Sequence, residues 1–276
     1  MVKRAVSVFV LLLAATRGAA NSTTTVDAGR GPVTVYVPDA YTSTTPTPLV
    51  LLLHGYGWTG DMVEGYLQYL PLVDARNFLY ATPDGRVDPV GYRFWAATDA
   101  CCNFYGVGGP ADDSSYLRDL IMAIRGALNV DAQRVYLIGH SNGAFMSFRM
   151  AGDHSEIVAA IVAFDGATIF NPADCNPRQP VHVLEIHGTA DDVVPYAGGL
   201  NRGVEFPGAD LTTQTWAGYD GCNPALSTTQ LGALDLIDGP ALDSDIVRYA
   251  AGCNIPGSVE HWRINGGTHE PTLSPA

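Results

Sequence analysis

The chain has 276 residues, 47% of them hydrophobic and only 16% charged, with 30 glycines and 18 prolines. That composition excludes a coiled coil and a disordered chain, and the length suffices for one large domain with a substantial core. The formal charge is −13, and setting aside Lys3, Arg4 and Arg17 near the N-terminus leaves 12 basic against 28 acidic residues, so nucleic acid is excluded as a partner and no basic stretch invites anionic lipid.

Residues 1–20 read as a secretory signal. Lys3 and Arg4 form the charged start, Ala5 to Ala15 the apolar run, and Gly18-Ala19-Ala20 the small residues before a cut after Ala20. The apolar run is too short for a bilayer, which needs about 20 residues. The expected product is a secreted protein, extracellular or periplasmic, with no stable membrane association and one catalytic domain over 21–276.

Val33 to Val37 alternates and predicts an edge strand, and Thr42 to Pro48 a loop. Leu49 to Leu53 is a continuous apolar run ending at His54-Gly55, which suits a strand buried on both faces of a parallel sheet. Phe78 to Ala81 predicts a short strand closed by Pro83-Asp84-Gly85. Asp112-Asp113-Ser114 opens a helix whose Leu117, Leu120, Ile121, Ile124 and Leu128 keep helical spacing. Strands follow over Arg134–Ile138, Ile157–Phe164, Val181–Ile186 and Val259–Ile264, with a helix over about 142–151 between the first two. Strands alternating with helices predict an α/β architecture with a mainly parallel central sheet flanked by helices.

Gly139-His140-Ser141-Asn142-Gly143 fits G-x-S-x-G between a strand and a helix, the setting in which a serine is held exposed on a tight turn at the positive end of a helix. A serine hydroxyl needs a base. His269, in Asn265-Gly-Gly-Thr-His269 just after the last strand, is the expected base, whereas His154, His182 and His261 fall within or beside strands and helices and read as structural. The acid that fixes the imidazole tautomer is expected after Val181–Ile186, where Asp191 and Asp192 both qualify by position. The oxyanion is expected on the amides of Asn142 and Tyr56, with Gly55 next and His54 as a support for its loop. Trp58, Trp95 and Tyr196 are candidate walls of a substrate cleft, with buried packing as the equal alternative.

Cys101, Cys102, Cys175, Cys222 and Cys253 have neither metal-ligand nor CxxC spacing, so disulfides in an oxidising compartment are expected. Cys222–Cys253 is the predicted bridge, because both lie in one Gly/Pro-rich late region. Cys175 could then take Cys101 or Cys102, and an odd thiol remains or pairs between chains. No metal and no cofactor is implied, since HExxH and clustered Cys/His sites are missing from the sequence.

With these pieces in place, the chain resembles the secreted polyhydroxybutyrate depolymerase-like and feruloyl esterase group of the α/β-hydrolase superfamily over residues 30–272. The matching stretches are Leu53-His-Gly-Tyr-Gly57, Trp95 through Cys101-Cys102 to Asp112-Asp113, Arg134 to Gly143, His187-Gly-Thr-Ala-Asp191 with Val194-Pro195-Tyr196, and Gly266-Gly-Thr-His269. The resemblance implies the α/β-hydrolase fold, Asp191 as the acid, and a monomeric serine ester hydrolase acting on polyesters or on short and aryl acyl esters. The alternative within the group is a feruloyl or acetylxylan esterase working on plant polysaccharide. A peptidase or a non-catalytic binding protein on the same fold are the competing classes. The chain stops seven residues after His269, where relatives usually continue into a closing helix, and it carries no appended polymer-binding module.

Overall fold

The computed structural model describes residues 22–107, 112–238, 242–254 and 258–274. The expected leader over 1–20 lies outside these residues. In chain order the strands and helices are β1 Ser22–Asp27, β2 Pro32–Val37, β3 Thr47–Leu53, α1 Gly60–Leu67, α2 Leu72–Arg76, β4 Leu79–Ala81, β5 Arg86–Val87, β6 Arg93–Phe94, α3 Asp113–Ala127 and β7 Val130–His140. Then follow α4 Asn142–Asp153, β8 Ala160–Phe164, β9 His182–Gly188, β10 Gly198–Asn201, β11 Val204–Pro207, α5 Ala209–Tyr219, β12 Thr228–Leu234, β13 Ser244–Tyr249 and β14 Val259–Ile264.

Ten strands form one sheet in the order β1-β2-β4-β3-β7-β8-β9-β14-β13-β12. Its middle, from β4 through β3, β7, β8 and β9 to β14, is parallel, and both margins are antiparallel. The run Leu49–Leu53 is buried on both faces at the centre, as its unbroken apolarity requires. Helix α3 starts where Asp112 accepts the Ser115 amide, and it buries Leu117, Leu120, Ile121 and Ile124 completely. Each such side chain contributes about 1.5–3 kcal/mol of transfer free energy. Helix α4 is buried along most of its length, with Phe148 packed 5.7 Å from Trp216 of α5.

Three expectations need correction. Val33–Val37 is not the edge strand, because β1 lies outside it. Thr23, Thr24 and Thr25 suit extended backbone but offer no apolar alternation that would signal a strand. The stretch predicted as a strand from Ile157 becomes extended only at Ala160, because the amides of Ile157 and Val158 still bond back to the His154 carbonyl. Lastly, Cys175 pairs with neither Cys101 nor Cys102, which are joined to each other, and it stands as a free thiol. Helix α4 explains the separation: Cys175 packs at Gly152 near its C-terminal end, and Cys101 touches Asn142 at its start, roughly 15 Å away at 1.5 Å per residue.

Cys222 and Cys253 are bonded and clip the segment that carries β12 and β13. Closing 31 residues of separation contributes roughly 3–4 kcal/mol by chain entropy. The double substitution C222S/C253S should therefore lower the unfolding free energy by about 2–4 kcal/mol in urea titration. A loss under about 0.5 kcal/mol would show that the bridge does not constrain the unfolded chain.

Candidate active site

The parallel strands all deliver their C-terminal ends to one edge of the sheet, and the sharpest turn there lies between β7 and α4. Ser141 occupies it at φ 55° and ψ −120°. A non-glycine residue in this region costs on the order of 1–3 kcal/mol and persists only where its surroundings fix it. The flanking glycines do so by close packing. A Cβ on Gly139 would stand 2.1 Å from the Gly143 carbonyl oxygen, and one on Gly143 would stand 2.1 Å from that of Leu53. The G-x-S-x-G spacing is thus a steric requirement: the helix passes so close to β3 and β7 that neither position admits a side chain.

His269, five residues beyond β14, and Asp191, three residues beyond β9, meet at this same edge. His269 Nδ1 donates to Asp191 Oδ2 at 2.7 Å, while Asp191 Oδ1 accepts the amides of Val193 and Val194, both at 2.8 Å. With Nδ1 committed as a donor, Nε2 is the nitrogen free to take a proton. Burial pushes the Asp191 carboxyl up, but hydrogen bonds from His187 and His269 outweigh it and hold the group well below the usual carboxylate range. Asp192 is exposed and takes no part in this contact. Among the described residues the Ser141 hydroxyl makes no hydrogen bond; such contacts are often long without substrate and tighten on binding.

The amides of Tyr56 and Asn142 likewise have no hydrogen-bond acceptor among the described residues. Asn142 opens helix α4, whose first amides are unpaired by construction and suit a negative charge. The Tyr56 loop is pressed onto Ser141: a Cβ at Gly55 would lie 3.4 Å from Ser141 Cβ. His54 braces this loop, donating from Nδ1 to the Gly55 carbonyl and accepting the Gly85 amide at Nε2, both at 2.8 Å. Burial lowers its pKa, which keeps it neutral in that role. The Asn142 side chain grips the main chain of Trp95 on both sides, at 2.7 and 2.8 Å.

The three aromatic candidates separate. Trp58 is half-buried and lies 5.1 Å from His140, the neighbour of Ser141. Trp95 has no exposed surface and packs 5.1 Å from His54, so its role is packing beneath the loop rather than lining a cleft. Tyr196 lies behind the acid, with its ring 5.6 Å from His187 and 5.5 Å from His261 and its hydroxyl on Asp210. A second aromatic group gathers around Tyr56, with Tyr92 at 5.7 Å and Phe104 at 5.1 Å, and the Tyr56 hydroxyl donates to Asp88.

A family model described as phospholipase/carboxylesterase matches residues 109–207, the part of the chain that holds Ser141 and Asp191. Feruloyl esterase B of Piromyces equi is 30% identical over 198 residues, 69% of this chain and 35% of that protein. Feruloyl esterase D of Neurospora crassa is 26% identical over 261 residues, 91% of this chain and 77% of that protein. The solved acetyl xylan esterase from Aspergillus awamori superposes with a TM-score of 0.63 at 18% identity, covering 92% of this chain and 95% of its own. The chain has the α/β-hydrolase fold, and feruloyl esterases are among its curated relatives. It spans about a third of the length of the Piromyces equi protein.

Buried polar residues that sequence reasoning passed over surround Ser141, Asp191 and His269. His140 donates from Nε2 to the His269 carbonyl at 3.0 Å and stacks 5.0 Å from its ring. Burial, with His269 close by, lowers its pKa to about 4, so it is a neutral prop for His269. Behind Asp191 lie His187, Glu185 and Asp165, all but fully buried. The motif reading treats the residue between Gly139 and Ser141 as variable, and a histidine inside a strand reads as core, so nothing local singles these residues out. Donor atoms of Asp165, His187 and Asp191, and of His140, Asp165 and His269, converge within 4.8 Å in two groups. Hydrogen bonds within the triad's own support already engage most of those atoms, so neither group presents a ready-made cation cage.

Proposed function

We propose that this protein is a secreted serine carboxylic-ester hydrolase whose substrates are short acyl and aryl acyl esters, including hydroxycinnamoyl and acetyl groups carried on plant polysaccharide. The observation that carries this reading is Ser141 on its strained turn beside a His269–Asp191 pair at 2.7 Å. Ser141 Oγ attacks the ester carbonyl as His269 Nε2 takes its proton, and the oxyanion rests on the Tyr56 and Asn142 amides. His269 then returns the proton to the departing alcohol, and water repeats the cycle on the acyl-enzyme. Asp191 keeps the imidazole in its tautomer and stabilises its charged form.

The relatives named feruloyl esterase support the aryl acyl substrate, and the aromatic group of Tyr56, Tyr92 and Phe104 adjoins the oxyanion loop where such an acyl ring can lie. The leader, together with two disulfides, supports export. Among the described residues no helix is long and apolar enough to cross a membrane. Cleavage of a neutral polyester by a single, monomeric catalytic domain is the second reading, supported by the resemblance of its motifs to the depolymerase-like group.

The test is kcat/KM across 4-nitrophenyl esters from acetate to palmitate, beside methyl ferulate, acetylated xylan and a polyester film. Short-chain esters and methyl ferulate should lead, and palmitate should trail by about two orders of magnitude or more, as differences in pocket fit allow. A maximum at palmitate with activation at an oil–water interface would show a lipase. Release of soluble acids from the film faster than ferulate turnover would favour the polyester reading.

A further inference from the structure

Asp191 is shared. Its Oδ2 receives His269 at 2.7 Å, and 3.4 Å away on its other side stands His187 Nε2. His187 Nε2 also lies 2.9 Å from the Val194 carbonyl, which can only accept, so this nitrogen carries a proton. Val194 in turn donates its amide to Asp191 Oδ1. His187 therefore clasps the turn Asp191–Val194 at both ends.

The other nitrogen, Nδ1, is 3.1 Å from Glu185 Oε1. The groups facing His187 are Glu185 on its own strand, Asp191 on the following turn, Asp165 at the end of β8 with 3.9 Å between Nε2 and Oδ1, His261 on β14, and the Tyr196 ring. Three of these are carboxylates. Burial opposes a charge on His187, yet the hydrogen bonds it donates to Asp191 and Glu185 raise its pKa well above the ordinary value. Burial pushes Glu185 up to about 7 despite its bond to His187.

Resting on the ester-hydrolase reading above, we propose that His187, held by Glu185, is a positioning residue: it clamps the Asp191 turn and, as a buried cation beside Asp191, keeps His269 free to act as a base at mildly acidic pH. The sign follows from Coulomb's law. A positive charge on His187 competes for the Asp191 carboxylate and repels a second imidazolium at His269, so His269 takes up a solvent proton less readily. The other groups around His269 are His140, which is neutral, and Asp165, whose burial pushes its carboxyl well up.

Two substitutions separate clamp from charge. In E185Q the side-chain amide can donate to Nδ1, so His187 becomes neutral while Nε2 still holds Val194. The acid limb of kcat/KM should then move to higher pH by on the order of one unit. H187Q removes both charge and clamp: its acid limb should move the same way, and its plateau should fall about tenfold, mainly in kcat, as the acid loosens. The nitrogen-15 spectrum of imidazole-labelled wild-type protein at pH 7 should show one buried histidine, absent in H187Q, with both nitrogens protonated. A neutral His187 in that spectrum, or an acid limb that stays put in folded E185Q, overturns the proposal. The spectrum needs no turnover and decides even if E185Q fails to fold. Failure of the ester-hydrolase reading shows separately, as the absence of fluorophosphonate labelling at Ser141.

Discussion

Ser141→Ala should fold as the parent does and lose ester hydrolysis by roughly ten-thousandfold to a millionfold in kcat/KM, the range seen when one member of a cooperating triad is removed. Removing Oγ removes the protein atom proposed to bond to the acyl carbon. The backbone angles at φ 55° cost alanine about what they cost serine, since both carry a Cβ, so the turn and its packed glycines should survive. Thermal unfolding should stay within a few degrees of the parent, and the residual rate should reflect the oxyanion amides and binding alone. The measurement is kcat/KM on 4-nitrophenyl acetate, with mass spectrometry after fluorophosphonate treatment. Turnover within a hundredfold of the parent, or the label on another serine, would remove Ser141 from the chemistry.

The parts of the candidate site that sit at a break in a pattern were visible in the sequence as candidates. Ser141 stands between two glycines at a strand–helix junction, and His269 follows a glycine pair after the last strand; a reader needs only local spacing to see them. Asp191 was open against Asp192 because both follow the strand, and what separates them is which carboxylate the turn points inward: Asp191 is 6% exposed and bonded to two amides of its own turn. The central strands were legible for a similar reason, since burial on both faces demands an unbroken apolar run such as Leu49–Leu53.

What was illegible depends on contacts between distant segments. Trp95 was open between cleft wall and buried packing, and its place beneath the loop is set by Asn142, 47 residues away. His187 directly follows the predicted strand Val181–Ile186 and drew no role of its own, and only the fold brings Glu185, Asp165 and Asp191 around it. The β12–β13 margin lies in a segment where exposed side chains leave little alternation to read. The vicinal pairing of Cys101 with Cys102 left Cys175 free because a buried helix stands between them.

Asp191→Asn is expected to cost about a thousandfold to ten-thousandfold in kcat/KM with little change in KM. The carboxamide can keep Oδ1 on the Val193 and Val194 amides, which places its NH2 against His269 Nδ1. That nitrogen must then accept, the ring proton moves to Nε2, and the base no longer has a lone pair for the serine proton. Asp192→Asn changes an exposed side chain outside this contact and should stay within about twofold. Stability offers an independent check. The Asp191 carboxyl is held below its unfolded value, so its contribution is complete above about pH 4 and is lost as the pH falls through the depressed native value. The gap in unfolding free energy between the parent and Asp191→Asn should therefore be largest near neutrality and shrink as urea titrations are taken down to pH 3 and below. A rate penalty that falls on Asp192→Asn instead would move the acid one residue along the chain, and a stability gap that widens on acidification would mean that the carboxylate carries no net stabilising bonds in the folded protein.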